Sequence, residues 1–401
     1  MVKAPRVRCP AVVAPGPLDG LIVADFSRVL AGPLATMTLA DLGADVVKIE
    51  RPETGDDTRH WGPPYVEEGA TYYLGLNRGK RSVALDLADP EGVALARELV
   101  ARADVLVESF RPGTMTKLGL DPADLRAAHP RLVTCTISAF GTGEAARTLP
   151  GYDLLLQAMG GLMSITGETD GRPLKTGTAL VDMLCGLHAA NGILAALRAR
   201  DRDGVGQHVE VSLLDTSLAG LLNLASGYLN TGVVPHRMGN DHPSIVPYGT
   251  YEAADGPFAL AVGSDSLFAR LCGELGRAEL TEDPRFATNT ARLQHRAELG
   301  EELEAAFGTA PAEEWVARLR DAGVPAGRIN DVAQAFEFAE SLDLAPIDET
   351  DGVRTVRSPM HLDRTPVRVE RRPPRLDEHG DAIRAWLANE RPSTDRNDGR
   401  P

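Results

Sequence analysis

The stretch LKTGTALVDMLCGLHAANGILAAL, residues 174–197, places a single carboxylate in almost wholly apolar company. Asp182 has Ala, Leu and Val before it and Met, Leu and Cys after it. The segment reads as a short apolar strand running into an apolar helix, with Asp182 at the junction. A carboxylate is one of the few side chains that can act as a nucleophile or a base. Position alone also suits it to capping the helix, because Asp is a preferred acceptor for the first free N–H groups. Asp25, Asp153 and Asp215 are competing acids, and structural roles are expected for all three. The four cysteines, Cys9, Cys135, Cys185 and Cys272, show neither pairing nor metal-ligand spacing, so reduced thiols and no metal site are expected.

The elements around Asp182 alternate. GLIVADFS, ADVVKIE, SVALDL, DVLVESF and LVTCTISAF are short apolar strands. GPLATMTLADLG, DPEGVALARELVARA and DPADLRAAHP are helices, the last two opening on Asp-Pro as cap and first turn. Apolar strands alternating with helices imply an α/β fold with a parallel sheet covered on both faces. SRVLAGP stands after the first strand in place of a G-x-G-x-x-G turn, which argues against a dinucleotide site. HVEVSLLD reads as a strand merging into the helix SLAGLLNLASGYL. NTGVVPHRMGNDHPSIVPYG is a long loop rich in Gly, Pro, Asn and His, followed by a hairpin turning at Ala-Asp-Gly.

The chain has 401 residues, 43% of them hydrophobic, ample for a large core. A formal net charge of −15 argues against nucleic-acid or anionic-membrane binding, while leaving room for a local basic pocket. No apolar run of about 18 residues is evident, so no membrane span is expected. The N-terminal segment reads as a loose tail and not a signal peptide. The expected division is a tail over 1–17, a large domain over 18–205, a linker over 206–230, a small α+β domain over 231–330, a returning segment over 331–388 and a disordered tail over 389–401.

Seven segments in order resemble the family III CoA-transferases, the superfamily of formyl-CoA transferase, carnitine CoA-transferase and α-methylacyl-CoA racemase. They are RVLAGPLATMTLADLGADVVKIERPETGDDTR, LNRGKRSVALDL, VESFRPGTMTKLGL, the stretch from Gly151 to Leu197, GQHVEVSLLD, GNDHPSIVPY and PPRLDEHGD. The resemblance runs from about Leu18 to Leu387. It implies a Rossmann-like large domain built from both chain ends, a smaller domain between, and an interlocked homodimer. It also implies that Asp182 is the nucleophile. Its carboxylate would attack an acyl-CoA thioester to give an aspartyl anhydride and CoA thiolate. The thiolate would then form an aspartyl-CoA thioester, which an acceptor acid attacks. Water must be kept from these intermediates, and the N-terminus of a helix beside Asp182 would favour its ionised form.

The same resemblance assigns the CoA-binding positions. Arg51 and Lys117 would meet its phosphates. Arg28, Val29 and Ala31 lie on the loop after the first strand; Leu30 stands where formyl-CoA transferase has a catalytic Gln, against a formyl/oxalate specificity. Leu74, Asn77, Arg78 and Lys80 lie on the next loop. Ser109 and Phe110 match an Asn-Phe pair, Ser109 departing from it. Tyr152 replaces the His of the racemases, and a phenol with a reference pKa of about 10 is a poor base at neutral pH, so transferase is preferred to racemase. His242 and Ser244 are candidates for the acid's distal carboxylate or hydroxyl, with loop ordering the alternative for His242. The expected enzyme is cytoplasmic and moves CoA from a donor such as succinyl-CoA to a free carboxylic acid, with CoA as substrate and no tightly bound cofactor. A 2-methylacyl-CoA racemase or a non-catalytic acyl-CoA-binding subunit are the alternatives.

Overall fold

Six parallel strands form the central sheet of the computed structural model, which describes residues 15–389. They are β1 (Ile22–Phe26), β2 (Asp45–Glu50), β3 (Lys80–Ala84), β4 (Val105–Glu108), β5 (Val133–Ser138) and β6 (His208–Ser212). Their order across the sheet is β3-β2-β1-β4-β5-β6. That is the doubly wound Rossmann order, in which the chain reverses direction beside β1 and leaves a crevice at the carboxyl ends of β1 and β4. Val23, Ala24, Val46, Val47, Val105, Leu106 and Val133 are buried, as strands covered on both faces require.

On one face lie α2 (Pro90–Arg102), α3 (Pro122–Ala128) and the C-terminal helix Gly380–Ala388, joined to the strands through a core containing Phe26, Leu99, Leu106, Leu125, Ile383 and Leu387. Asp89 and Asp121 cap α2 and α3, each with Pro in the first turn. The C-terminal segment docks on β3: Ala84 N–H donates to Asp377 (2.8 Å), and His379 N–H donates to the Ser82 carbonyl (3.1 Å). Both ends of the chain therefore build this unit.

The other face carries α1 (Ala31–Asp41) and α5 (Leu180–Asp203), which pack against each other. The close approach depends on Gly186, where an added Cβ would lie 2.6 Å from the Ala31 carbonyl oxygen. Among the described residues α5 is the one helix long and apolar enough, by length and composition, to cross a membrane, although Gly, His and Asn interrupt its apolar run. Cys185, Ala189, Ile193 and Ala196 on it are buried within this unit. Between α3 and α5 the short α4 (Asp153–Met159) precedes the segment that leads to Asp182, and α6 (Leu213–Gly220) follows β6.

The chain divides into two units, residues 15–161, 176–229 and 345–389 in one, 162–175 and 230–344 in the other. This differs from the expected boundaries. Residues 206–230 are no linker: β6 pairs with β5, and the segment continues through α6 into the helix Leu222–Thr231. Residues 162–175 join the second unit through bonds such as Gly239 N–H to the Gly167 carbonyl (3.1 Å), and the capped helix Val332–Ser341 also lies in it. The second unit holds an antiparallel sheet of β7 (Tyr248–Ala253), β8 (Gly256–Ala261) and β9 (Ala326–Arg328) over a core of Phe258, Phe268, Phe286, Phe307 and Trp315. The expected loose segment up to residue 14, with Cys9, and the expected disordered tail from 390 lie outside the described residues.

Gly186→Val forces α1 and α5 apart. Overpacking of this kind costs about 1–3 kcal/mol, so chemical denaturation should show a lower midpoint with little change in slope.

Candidate active site

No strand precedes Asp182. Residues 174–179 are irregular, and Asp182 is the third residue of α5, whose cap position is Ala179. Thr176, Gly177 and Thr178 divert this short segment into hydrogen bonds with other groups: Thr176 N–H and its hydroxyl both reach the Gln157 side-chain oxygen (2.9 and 3.2 Å). Asp182 does not cap its own helix either. Val181 and Asp182 N–H both donate to one oxygen of Asp153 (2.9 and 3.1 Å), so a carboxylate from α4 caps α5. The second oxygen of Asp153 accepts from the Gln157 amide (2.6 Å). Asp215 works within α6, accepting from the Ser212 hydroxyl (2.7 Å), and Asp25 is wholly buried among other polar groups. The structural roles expected for these three acids agree with their contacts.

Asp153 reverses the expected electrostatics of Asp182. A free helix N-terminus stabilises an anion. Here Asp153 has taken the nearest N–H groups and adds its own negative charge. Burial first, and Asp153 second, push the Asp182 carboxyl up to about 7. A carboxylate held at that level is a stronger base and nucleophile than one near 4, while a substantial fraction stays ionised at neutral pH. Tyr72 senses the same charges: burial, then Asp182 and Asp153, raise its phenol, which remains a hydrogen-bond donor. Trp61 packs edge-on against Tyr72 at 5.3 Å. Neither aromatic was singled out from sequence. The signal available was Trp61 and Tyr72 flanking the Gly62-Pro63-Pro64 turn, within the segment between two recognised motifs.

A pocket of about 590 Å³ opens at the carboxyl ends of β1 to β4, where the strand order reverses. Arg28, Arg51 and Phe110 line it, with Leu87 and Thr114. The Arg28 guanidinium lies 4.6 Å above the Phe110 ring, a cation–π contact. Burial lowers the Arg28 pKa, and the like charge of Arg51 lowers it further, so an anion between the two guanidinium groups would be favoured. Ser109 turns its hydroxyl to the Arg28 N–H (3.0 Å) and thus ties the ends of β4 and β1 together. Lys117 is exposed and lines an adjoining groove of about 420 Å³ with Arg97.

Other expected ligand contacts are turned inward. Lys80 is fully buried, bound to Asp25 (3.1 Å), the Pro33 carbonyl (3.0 Å) and the Asn77 oxygen (3.0 Å). Asn77 is equally buried and donates to the Tyr73 carbonyl (2.9 Å). Arg78 forms a two-pronged pair with Asp41 (2.9 and 2.6 Å), and Leu74 packs with Tyr73 and Val353. Their segment acts as support because its polar atoms are already used within the protein. Ala31 is buried beneath α5. Tyr152 is 62% exposed and stands immediately before α4. His242 and Ser244 belong to the second unit. There His242 Nδ1 accepts from Ser244 N–H (3.0 Å), its ring lies 5.2 Å from Tyr248, and its carbonyl accepts from Arg296 (2.7 Å). These contacts order the loop. Among the described residues no group of three or more His, Cys, Asp or Glu could hold a metal ion.

Residues 18–380 match the family described as CoA-transferase family III. The chain belongs to CoA-transferase family III. It is 43% identical over 383 residues to the succinate–glutarate CoA-transferase of Agrobacterium fabrum, covering 92% of this chain and 96% of that one. It is 41% identical to the acetyl-CoA:oxalate CoA-transferase of Acetobacter aceti, covering 93% and 96%. The crystal structure of a CaiB/BaiF family protein from Brucella suis superposes with a TM-score of 0.84 at 45% identity, covering 93% of this chain and all of that one. The family III transferase is thus an enzyme whose large unit carries Asp182 on its longest helix.

The raised Asp182 pKa has a thermodynamic signature. The folded chain holds this proton up to about 7, the unfolded chain only to about 3.9. This group therefore erodes stability as pH rises from about 4 to 7, and the loss levels off above that range. Asp182→Asn removes it. The variant should melt at a higher temperature than the parent at pH 8, the two converging near pH 4. A difference independent of pH would contradict the assignment.

Proposed function

We propose that this family III enzyme transfers CoA reversibly from a dicarboxylyl-CoA donor, succinyl-CoA among them, to a free carboxylic acid, using Asp182 as the covalent carrier. The observation that carries this reading is the half-buried Asp182 carboxyl, held at the start of a core helix with a pKa near neutrality. Succinate and glutarate in the name of the Agrobacterium fabrum relative support the donor class, and oxalate in the name of the Acetobacter aceti relative supports a dicarboxylic acid as the free partner.

The sequence of steps conserves the thioester's transfer potential. Asp182 attacks the acyl carbon of the donor, and CoA leaves as thiolate. The thiolate attacks the aspartyl carbon of the mixed anhydride, expelling the donor acid. The acceptor carboxylate attacks the aspartyl-CoA thioester, forming a new anhydride and releasing the thiolate again. Thiolate attack on the acceptor's carbon regenerates Asp182. No net proton or redox change is involved. Asp153 contributes by keeping Asp182 basic and by fixing the first turn of α5. Tyr72 is suited to donate a hydrogen bond to oxygen where negative charge develops. Arg28, Arg51 and Phe110 would hold the nucleotide end of CoA, with Val29 and Ser109 shaping the loop between them and Lys117 at the edge.

A homodimer accords with the apolar surface of the first unit. No residue of the helix Leu222–Thr231 is buried; Leu222 and Leu229 are 73% and 78% exposed. Exposed apolar side chains of that kind suit a partner surface. Tyr152 and Leu154 add to the exposed apolar residues on α4 and its cap. The racemase alternative lacks its His at position 152.

Incubation with succinyl-CoA and a panel of acids, glutarate included, should produce the acceptor's CoA thioester. With hydroxylamine, the peptide carrying Asp182 should gain the mass of a hydroxamate. Asp182→Ala should lose at least about 10³-fold in kcat, the scale seen when a covalent nucleophile is removed. Full activity in that variant would overturn the reading, and α-proton exchange without an acceptor acid would favour the racemase.

A further inference from the structure

Asp56 stands in none of the roles assigned above, yet its carboxylate touches both loops that carry the pocket's arginines. Asp56 is 1% exposed. Its oxygens accept from Thr58 N–H (2.9 Å), the Thr58 hydroxyl (2.8 Å) and Val29 N–H (3.4 and 3.3 Å), and pair with the Lys48 ammonium (2.9 Å). Lys48 is wholly buried and donates to the Ser27 carbonyl (2.8 Å). One carboxylate and one ammonium thus bind the backbone on both sides of Arg28.

That backbone needs holding. Val29 has φ of 69°, in the left-handed region that a β-branched residue seldom adopts. Its N–H is directed at Asp56, and the preceding residue is Arg28. On the other loop, Gly55 N–H closes the turn on the Arg51 carbonyl (3.0 Å), and the Asp56 carboxylate caps the turn Asp57–His60 that follows it. Arg51 Nε donates to the Gly55 carbonyl (3.3 Å), Arg51 pairs with Asp57, and Asp56 N–H donates to Glu50 (3.0 Å). Arg28 and Arg51 repel one another across the pocket, so their separation must be imposed by the protein. A buried ion pair contributes little to stability by itself, and fixing a single conformation is its better-supported use.

We propose that Asp56, acting with Lys48, is the positioning residue of the nucleotide pocket: it sets the spacing of Arg28 and Arg51 for the phosphates of the CoA substrate. This rests on the CoA-transferase reading. Asp56 touches no reacting atom, so its influence falls on CoA-thioester binding and not on the chemical steps at Asp182.

The test compares the parent with Asp56→Asn and with the double variant Lys48→Met/Asp56→Asn, which removes both charges and leaves no orphaned ion. KM and kcat are measured with succinyl-CoA and with succinyl-pantetheine, which lacks the nucleotide. The expected result is a KM for succinyl-CoA raised on the order of tenfold, with kcat within about twofold and the KM for succinyl-pantetheine unchanged. KM does not depend on how much enzyme is folded, so a partly unfolded preparation still reports it. An unchanged KM for succinyl-CoA in both variants overturns the proposal. So does an equal rise for both substrates, which marks a general structural defect. A parent enzyme that turns over no acyl-CoA is a failure of the functional reading instead, and is visible before any variant is made.

Discussion

Two backbone N–H groups at the start of α5 bond to a carboxylate that comes from another helix, and the electrostatics of Asp182 depend on that contact. Had Val181 and Asp182 been left with free N–H groups, the helix terminus would have stabilised the Asp182 anion and lowered its basicity. With Asp153 in place, the same groups anchor the helix while the neighbouring charge raises the basicity of Asp182. Gln157 holds Asp153 with its amide nitrogen and the chain before α5 with its oxygen, so a single buried side chain supports both partners. Partial burial of Asp182 is the larger of the two causes, its low-dielectric surround raising the pKa before Asp153 adds to it.

The sheet positions the rest by a general rule. Strand order reverses at β1, and the loops leaving β1 and β4 diverge around a crevice. The Ser109 hydroxyl bonds across that divergence, and Phe110 supports Arg28 from below. Behind this rim lies a group of buried charges, Asp25, Lys48, Asp56 and Lys80. Asp25 is drawn down to about 2 despite its burial, chiefly by Lys80 and Lys48 and by the hydroxyls of Ser27 and Thr36. Each member is satisfied by a partner, the condition under which buried charge specifies structure. A net charge of −15 and a pocket lined by Arg28 and Arg51 are therefore compatible: the net charge describes the whole chain, and the pocket draws on a few cations at the carboxyl ends of the strands.

Much of this was legible because local signals agreed with the fold. Short, mostly apolar runs such as IVADF and VLVE became central parallel strands, and Asp89-Pro90 and Asp121-Pro122 opened their helices as their types suggest. The failures share a cause. Whether Lys80 faces a ligand or the interior depends on Asp25, 55 positions away. No local pattern carries that pairing. The cap on α5 arrives from 28 positions upstream, so Asp182 looked like its own cap. The strand and helix within 206–230 were legible, but only the register of that strand with β5 makes the segment part of the large unit and not a linker.

The central claim is that Asp182 exchanges oxygen with the acids it serves, and an isotope transfer tests it directly. When an acceptor acid carrying ¹⁸O in both carboxyl oxygens attacks the aspartyl-CoA thioester, the attacking oxygen becomes the anhydride bridge. It remains on Asp182 when CoA thiolate takes the acyl group. After turnover with labelled glutarate, mass spectrometry should find the peptide containing Asp182 heavier by one or two ¹⁸O atoms, with other peptides unshifted. An unlabelled Asp182 peptide in a sample that has formed glutaryl-CoA would contradict the account.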